Sequence, residues 1–190
     1  MRRTTWIVAL TLLLSLPAAA AQSYRGTGTA DVVVGGTARR FHAFEMTVDG
    51  QSLATASWRV GSSQGWLLID VLFIEPDLEA GEPDDPAFAL LGLTFYVDPA
   101  TGQVAASEAH LPTIEFIPNQ ATYLPIYQGL VAATLVTVTS FVRDGDTLRI
   151  SGAVDAVLGL DPAQGGVADL PPTIAIRGAF ELLDVVANDR

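Results

Sequence analysis

Short turn signals fall between apolar or alternating runs all along this chain, and they constrain its fold more than any other feature. Gly35-Gly36, Asp49-Gly50 and Asp144-Gly145 are dipeptides that accept the positive φ of tight hairpin turns. Asp98-Pro99-Ala100-Thr101-Gly102 puts a proline early in a turn and a glycine at its exit. Residues 61–65, glycine at both ends, form another such connection. No stretch beyond residue 21 keeps a helical period, although a short helical turn is expected at 86–91. The chain therefore reads as all-β: a single antiparallel domain of about eight to ten strands rich in hairpins, with a two-sheet β-sandwich favoured over a closed barrel.

The runs between the turns place strands at 29–34, 38–48, 52–60, 66–74, 88–97, 103–109, 113–117, 130–142, 147–158 and 173–185. Periodicity also predicts their surroundings. Ile150, Val154 and Ala156 alternate with Arg149, Ser151 and Asp155, which is a strand with one wet face. In 66–74 only Asp70 interrupts the apolar residues, so that strand is expected to be covered on both faces. Asp70 is then a carboxylate in apolar company, expected on the wetter face or hydrogen-bonded. The segment from Thr147 echoes the segment from Thr173, with Gly152 and Gly178 in the same phase. Two similar strands of one sheet, curving together at those glycines, account for the echo.

The N-terminus carries an export signature. Arg2 and Arg3 precede an apolar run from Trp6 to Leu16, then Pro17 and the small residues Ala18 to Ala21. The run is short for a membrane span, so residues 1–21 read as a cleaved signal peptide, cut before Gln22, with 22–190 as the single β domain. Localisation follows as exported, periplasmic or secreted. A lipid-anchored form would need a cysteine after the apolar run, and the chain has none. That absence also excludes disulfide scaffolds, thiol redox chemistry and cysteine-ligated metal centres. The net charge of −11 becomes two units more negative once Arg2 and Arg3 are removed. Such acidity argues against nucleic acid and anionic surfaces as partners. With 49% hydrophobic residues, disorder is excluded as well.

Candidate chemistry is sparse. Residues 61–65 satisfy G-x-S-x-G around Ser63, with Asp98 and His110 downstream in α/β-hydrolase order. That motif works at a strand-to-helix turn, whereas Trp66 onwards reads as a strand, so Ser63 is expected to be a hairpin residue. The 75–86 segment holds Glu75, Asp77, Glu79, Glu82, Asp84 and Asp85. These hard oxygen donors make calcium the one metal ion with a candidate site, without the spacing of an EF-hand. His42 with Glu45, and His110 with Glu108, lack a third ligand for zinc or copper. Trp58, Trp66, Phe73, Phe95, Phe116 and Phe141 could line a groove or barrel interior for an apolar ligand, or simply fill a core.

Pro112-Thr-Ile-Glu-Phe116 followed by Asp146-Thr-Leu-Arg-Ile-Ser-Gly152 resembles, over these two pieces only, the exported YceI-like lipid-binding barrels. The aspartate–histidine–serine segment of that family is absent here, and no site residue is carried over from it.

The residues together favour an exported non-catalytic binding or interaction module for an unknown protein or small molecule, needing no cofactor and keeping no stable membrane anchor once the signal is cut. A carrier of an apolar small molecule or lipid in a β-barrel cavity is the alternative. A small outer-membrane β-barrel and a hydrolase rank below it.

Overall fold

The computed structural model describes residues 22–48, 51–61, 65–79, 88–105, 110–119, 125–161 and 171–188. They form β1 (Gln22–Val34), β2 (Thr37–Val48), β3 (Gln51–Ala54), β4 (Ala56–Val60), β5 (Leu67–Ile74), β6 (Leu90–Val97), β7 (Thr113–Ile117), β8 (Tyr127–Asp144), β9 (Thr147–Leu160) and β10 (Thr173–Ala187). All ten belong to one sheet in the order β3-β2-β1-β10-β4-β5-β6-β7-β8-β9. Every pairing is antiparallel except β10 with β4. The chain is all-β, as its turns require. Two added pairings, β9 with β10 and β2 with β5, join strands far apart in that order. With the order of the sheet, the β9–β10 pairing joins β10, β4, β5, β6, β7, β8 and β9 in a ring, within one large and mostly antiparallel sheet.

The turns behave as their residues dictate. Gly35 and Gly36 have φ of 56° and 89°, the two positive values a type I′ hairpin needs. The β8–β9 hairpin turns one residue later than Asp144-Gly145: Asp144 pairs with Thr147, so Gly145 and Asp146 are its central residues. Gly145 alone of these has a positive φ, the pattern that places glycine first in a II′ turn. Asp98 closes its own turn, its carboxylate accepting from Ala100 N at 2.8 Å and its carbonyl from Gly102 N at 2.8 Å. The Asp49-Gly50 pair lies outside the described residues.

Alternation decides what faces inward. Ile150, Val154 and Ala156 are buried while Arg149 and Asp155 stand in solvent, as expected for a strand with one wet face. From β5 the core takes Leu67, Ile69, Val71 and Phe73. Leu68 and Ile74, on its other face, are buried too, so β5 is covered on both sides. Asp70 lies on that second face, half-buried, and accepts a hydrogen bond from Thr94 Oγ1 at 2.9 Å. Burial pushes its carboxyl above the usual range, against the opposing pull of the Thr94 bond and of Arg59.

Gly152 and Gly178 sit on neighbouring strands, opposite Phe180 and Val154 respectively. A Cβ at Gly152 would lie 2.6 Å from the Phe180 ring, and one at Gly178 would lie 2.6 Å from Val32 Cα. The two glycines therefore let an aromatic ring and a neighbouring strand come close, which is the purpose an in-strand glycine serves.

Two sequence-predicted strands need revision. The 52–60 run is broken at Thr55. β3 pairs with β2 and β4 with β5, both antiparallel, so the strand passes from one partner to the other and bends at Thr55. Thr55 holds this corner from both sides. Its N–H donates to Phe44 O at 2.8 Å, its carbonyl accepts from Leu72 N at 2.7 Å, and its Oγ1 accepts from Phe44 N at 2.8 Å. The expected 103–109 strand reduces, among the described residues, to a single bridge between Val97 and Val104. Leu90 and Leu91 of the expected helical turn open β6 instead.

The last strand closes against the first. β10 pairs with β1 from Ile176 to Leu182, bulges, and then pairs with β4 from Val186. Asp184, in that bulge, adopts φ 52°. The extra residues bend β10 away from β1 and towards β4.

Candidate functional site

The site grows from the outer face of the β1–β2 hairpin. The Gly35-Gly36 turn sets the register, pairing Thr29 with His42 and Asp31 with Arg40. Thr29 also pairs with Glu181 on β10, so Glu181, Thr29 and His42 form a row across three strands. Below that row β1 carries a bulge between Gly26 and Gly28. The chain leaving β5 then crosses this face and is tied down residue by residue. Glu75 accepts from Arg39 Nη1 at 2.7 Å and from Ala89 N at 3.0 Å. Asp77 Oδ2 lies 3.8 Å from His42 Nδ1. Glu79 Oε2 accepts from Gly26 N at 2.9 Å. Leu78 packs with Phe44, Ile74, Phe88 and Leu90 in a small second core outside the sheet.

Between this crossing segment and β10 lies a groove of about 340 Å³. Gly26, Gly28 and Thr29 line it with Phe44 and His42, whose rings stack 6.0 Å apart. Asp77 and Glu79 form one wall, Glu181 and Leu183 the other, and Arg40 also borders it. Arg40 is already engaged: its Nε and Nη2 donate to Asp31 at 2.7 and 2.8 Å. Those bonds hold the Asp31 carboxyl below the usual range. The groove thus offers a histidine, a hydroxyl, three carboxylates and one aromatic face. It suits an occupant that donates hydrogen bonds and brings some apolar surface.

The six acids of 75–86 do not act as one group among the described residues. Glu75, Asp77 and Glu79 go to three different partners, and Glu82, Asp84 and Asp85 lie outside the described residues. No cluster of three or more metal-ligating side chains occurs among the described residues. Trp58, Phe73, Phe95 and Phe116 are brought together in the main core, and Phe141 packs partly buried against it. Phe95 meets Phe180 at 5.9 Å, and Phe116 meets Phe41 at 6.5 Å and Tyr127 at 6.4 Å. Trp58 donates its Nε1–H to Asp146 O at 3.0 Å, under the Arg143 guanidinium 4.7 Å from the ring. Trp66 is half-buried, and its carbonyl closes the 61–65 connection by accepting from Gly61 N at 2.7 Å.

Comparison with known proteins returns no match. Neither a family model, nor a curated protein, nor a solved structure aligns with the chain.

Of the catalytic candidates, Ser63 and Glu108 lie outside the described residues. His110 packs edge-on against Tyr96 at 4.5 Å. Glu45 accepts from the Ser52 hydroxyl and from Arg25 Nε at 2.9 Å, which together hold its carboxyl low. Sequence reasoning picked out His42, Asp77 and Glu79 but missed Thr29, Arg40, Glu181 and Leu183. Part of that was readable: a two-residue hairpin at Gly35-Gly36 already pairs Thr29 with His42. The approach of β10 and of the crossing segment was not.

Proposed function

We propose that this protein is an exported, non-catalytic binding or interaction module whose ligand or partner sits in the groove beside His42. The observation that carries this reading is the groove's construction. Three segments remote in sequence converge on it, and the crossing segment is pinned at Glu75, Asp77 and Glu79 rather than left to solvent. Export is inferred from the apolar run and small residues of 1–21. A second reading keeps one specific support. The inward-facing aromatics Trp58, Phe73, Phe95 and Phe116 would suit a carrier of an apolar small molecule if the core opens. Cross-strand pairs on the outer face, Asp31–Arg40 and Asp155–Arg177, support a wall that meets water rather than hydrocarbon.

The test is native mass spectrometry of the exported protein, with and without a chelator, beside a Leu183→Trp variant that fills the groove. A co-purifying mass lost in Leu183→Trp supports the groove. A mass kept by Leu183→Trp but lost on unfolding moves binding to the interior and overturns the first reading. A chelator-sensitive mass assigns an ion to the 75–86 acids.

A further inference from the structure

We infer that the α-amine freed at Gln22 closes in a lactam, which leaves residues 22–190 of the exported protein without a primary amine. The inference rests on the cleavage after Ala21 proposed above. Primary amines in a protein come from lysine side chains and from the N-terminus. All ten basic residues counted as Lys or Arg in this chain are arginine. The one primary amine of residues 22–190 is therefore the α-amine that cleavage creates.

That amine would belong to a glutamine, the residue whose carboxamide stands at lactam-forming distance along its own side chain. The neutral α-nitrogen attacks Cδ, and a nitrogen–Cδ bond forms. The Cδ–Nε2 bond breaks, and ammonia leaves with a proton from the amine. No oxidant, cofactor or second protein is required. An α-amino group titrates at about 8, so an appreciable fraction is in the reactive neutral form near neutrality. β1 begins at Gln22, which pairs with Val48. The new terminus thus lies in the β1–β2 ladder. The lactam keeps the Gln22 backbone carbonyl and one N–H, the groups a strand residue contributes to a ladder.

The product has only guanidinium and imidazole as cationic side chains. It offers nothing to acylation, glycation or isopeptide cross-linking through an amine, and aminopeptidases lose the free amine they recognise.

The experiment is intact-mass measurement of protein recovered from an exporting host that expresses the full chain, with fluorescamine titration of the unfolded protein. The expected result is the mass of 22–190 less one ammonia, with the amine titre falling from one per chain to none. A Gln22→Ser variant is expected to keep its full mass and titrate one amine. The full mass of 22–190 with one amine per chain, persisting after prolonged incubation in mildly alkaline buffer, overturns the lactam while leaving the cleavage in place. A mass beginning at any other residue overturns the cleavage reading itself, and the inference falls with it.

Discussion

Among the described residues Thr27 and Thr55 are the buried polar ones, 3% and 5% exposed, and the same substitution should move stability in opposite directions at the two sites. At Thr55 the hydroxyl accepts from Phe44 N at 2.8 Å. Thr55→Val keeps the shape and removes the acceptor, leaving a buried backbone donor without its partner. An orphaned buried group costs about 1–3 kcal/mol, and a replacement methyl returns less than ~1 kcal/mol of that. At Thr27 the Oγ1 is buried and has no hydrogen-bond partner among the described residues. Thr27→Val removes a desolvated hydroxyl that costs about 1–3 kcal/mol and gains a buried methyl. The assay is urea unfolding followed by Trp fluorescence. With a slope of about 1–3 kcal/mol per molar, the midpoint should fall by roughly 1 M for Thr55→Val and rise by a similar amount for Thr27→Val. Faster amide exchange at Phe44 in Thr55→Val alone would locate the loss at the β3–β4 corner. If Thr55→Val is as stable as the parent, the hydroxyl does not hold the corner. If Thr27→Val is destabilised, its Oγ1 has a partner after all.

Burial raises the Asp70 carboxyl, so the folded state favours its protonated form. The corresponding stability is fully present below the unfolded value of about 3.9 and is lost as pH rises through the higher folded value. Asp70→Asn should therefore raise the urea midpoint at neutral pH and leave it unchanged in acid; equal midpoints at neutral pH would contradict the assignment. Gly178→Ala should cost about 1–3 kcal/mol, or more, in the same unfolding assay, because the new methyl meets β1 backbone rather than a movable side chain. The exposed Gly36, with nothing within 4 Å of a built Cβ, should lose only the roughly 1 kcal/mol of left-handed strain. Arg39→Met removes the ion pair that starts the crossing segment, and limited proteolysis should then cut within 75–89 faster; an unchanged cleavage rate would show that Leu78 and Glu79 suffice to hold it.

The parts of the fold readable in advance are those that local chemistry controls. Gly35-Gly36 announced its hairpin because two positive φ values exclude most residues. The alternation at Ile150, Val154 and Ala156 announced which face of β9 is wet. The apolar run of β5, broken only at Asp70, announced that both its faces are covered. The corner at Thr55 was hidden because threonine is as good a strand residue as its neighbours, and the bend is held by Phe44 and Leu72, which only tertiary pairing brings there. The site divides along the same line. The row Thr29–His42 follows from one turn, but Glu181 arrives from the far end of the chain and Asp77 from a segment whose acids resemble a charge run. Nothing local separates an acid that will meet His42 from one that will meet solvent.

The pairing of Gly28 to Val34 with Ile176 to Leu182 has a consequence for how this chain acquires its structure. Its first and last strands lie side by side, so the sheet cannot close until almost all of the polypeptide is available. In a chain made N-terminus first, β1 and β2 can pair before β10 exists. Contacts spanning nearly the full length are slow to form, because loop-closure entropy is lost before they are made. Such a topology leaves the hairpins free to form locally and delays the locking of the whole sheet until the final strand is in place, so the closing step depends on the residues furthest apart in the chain.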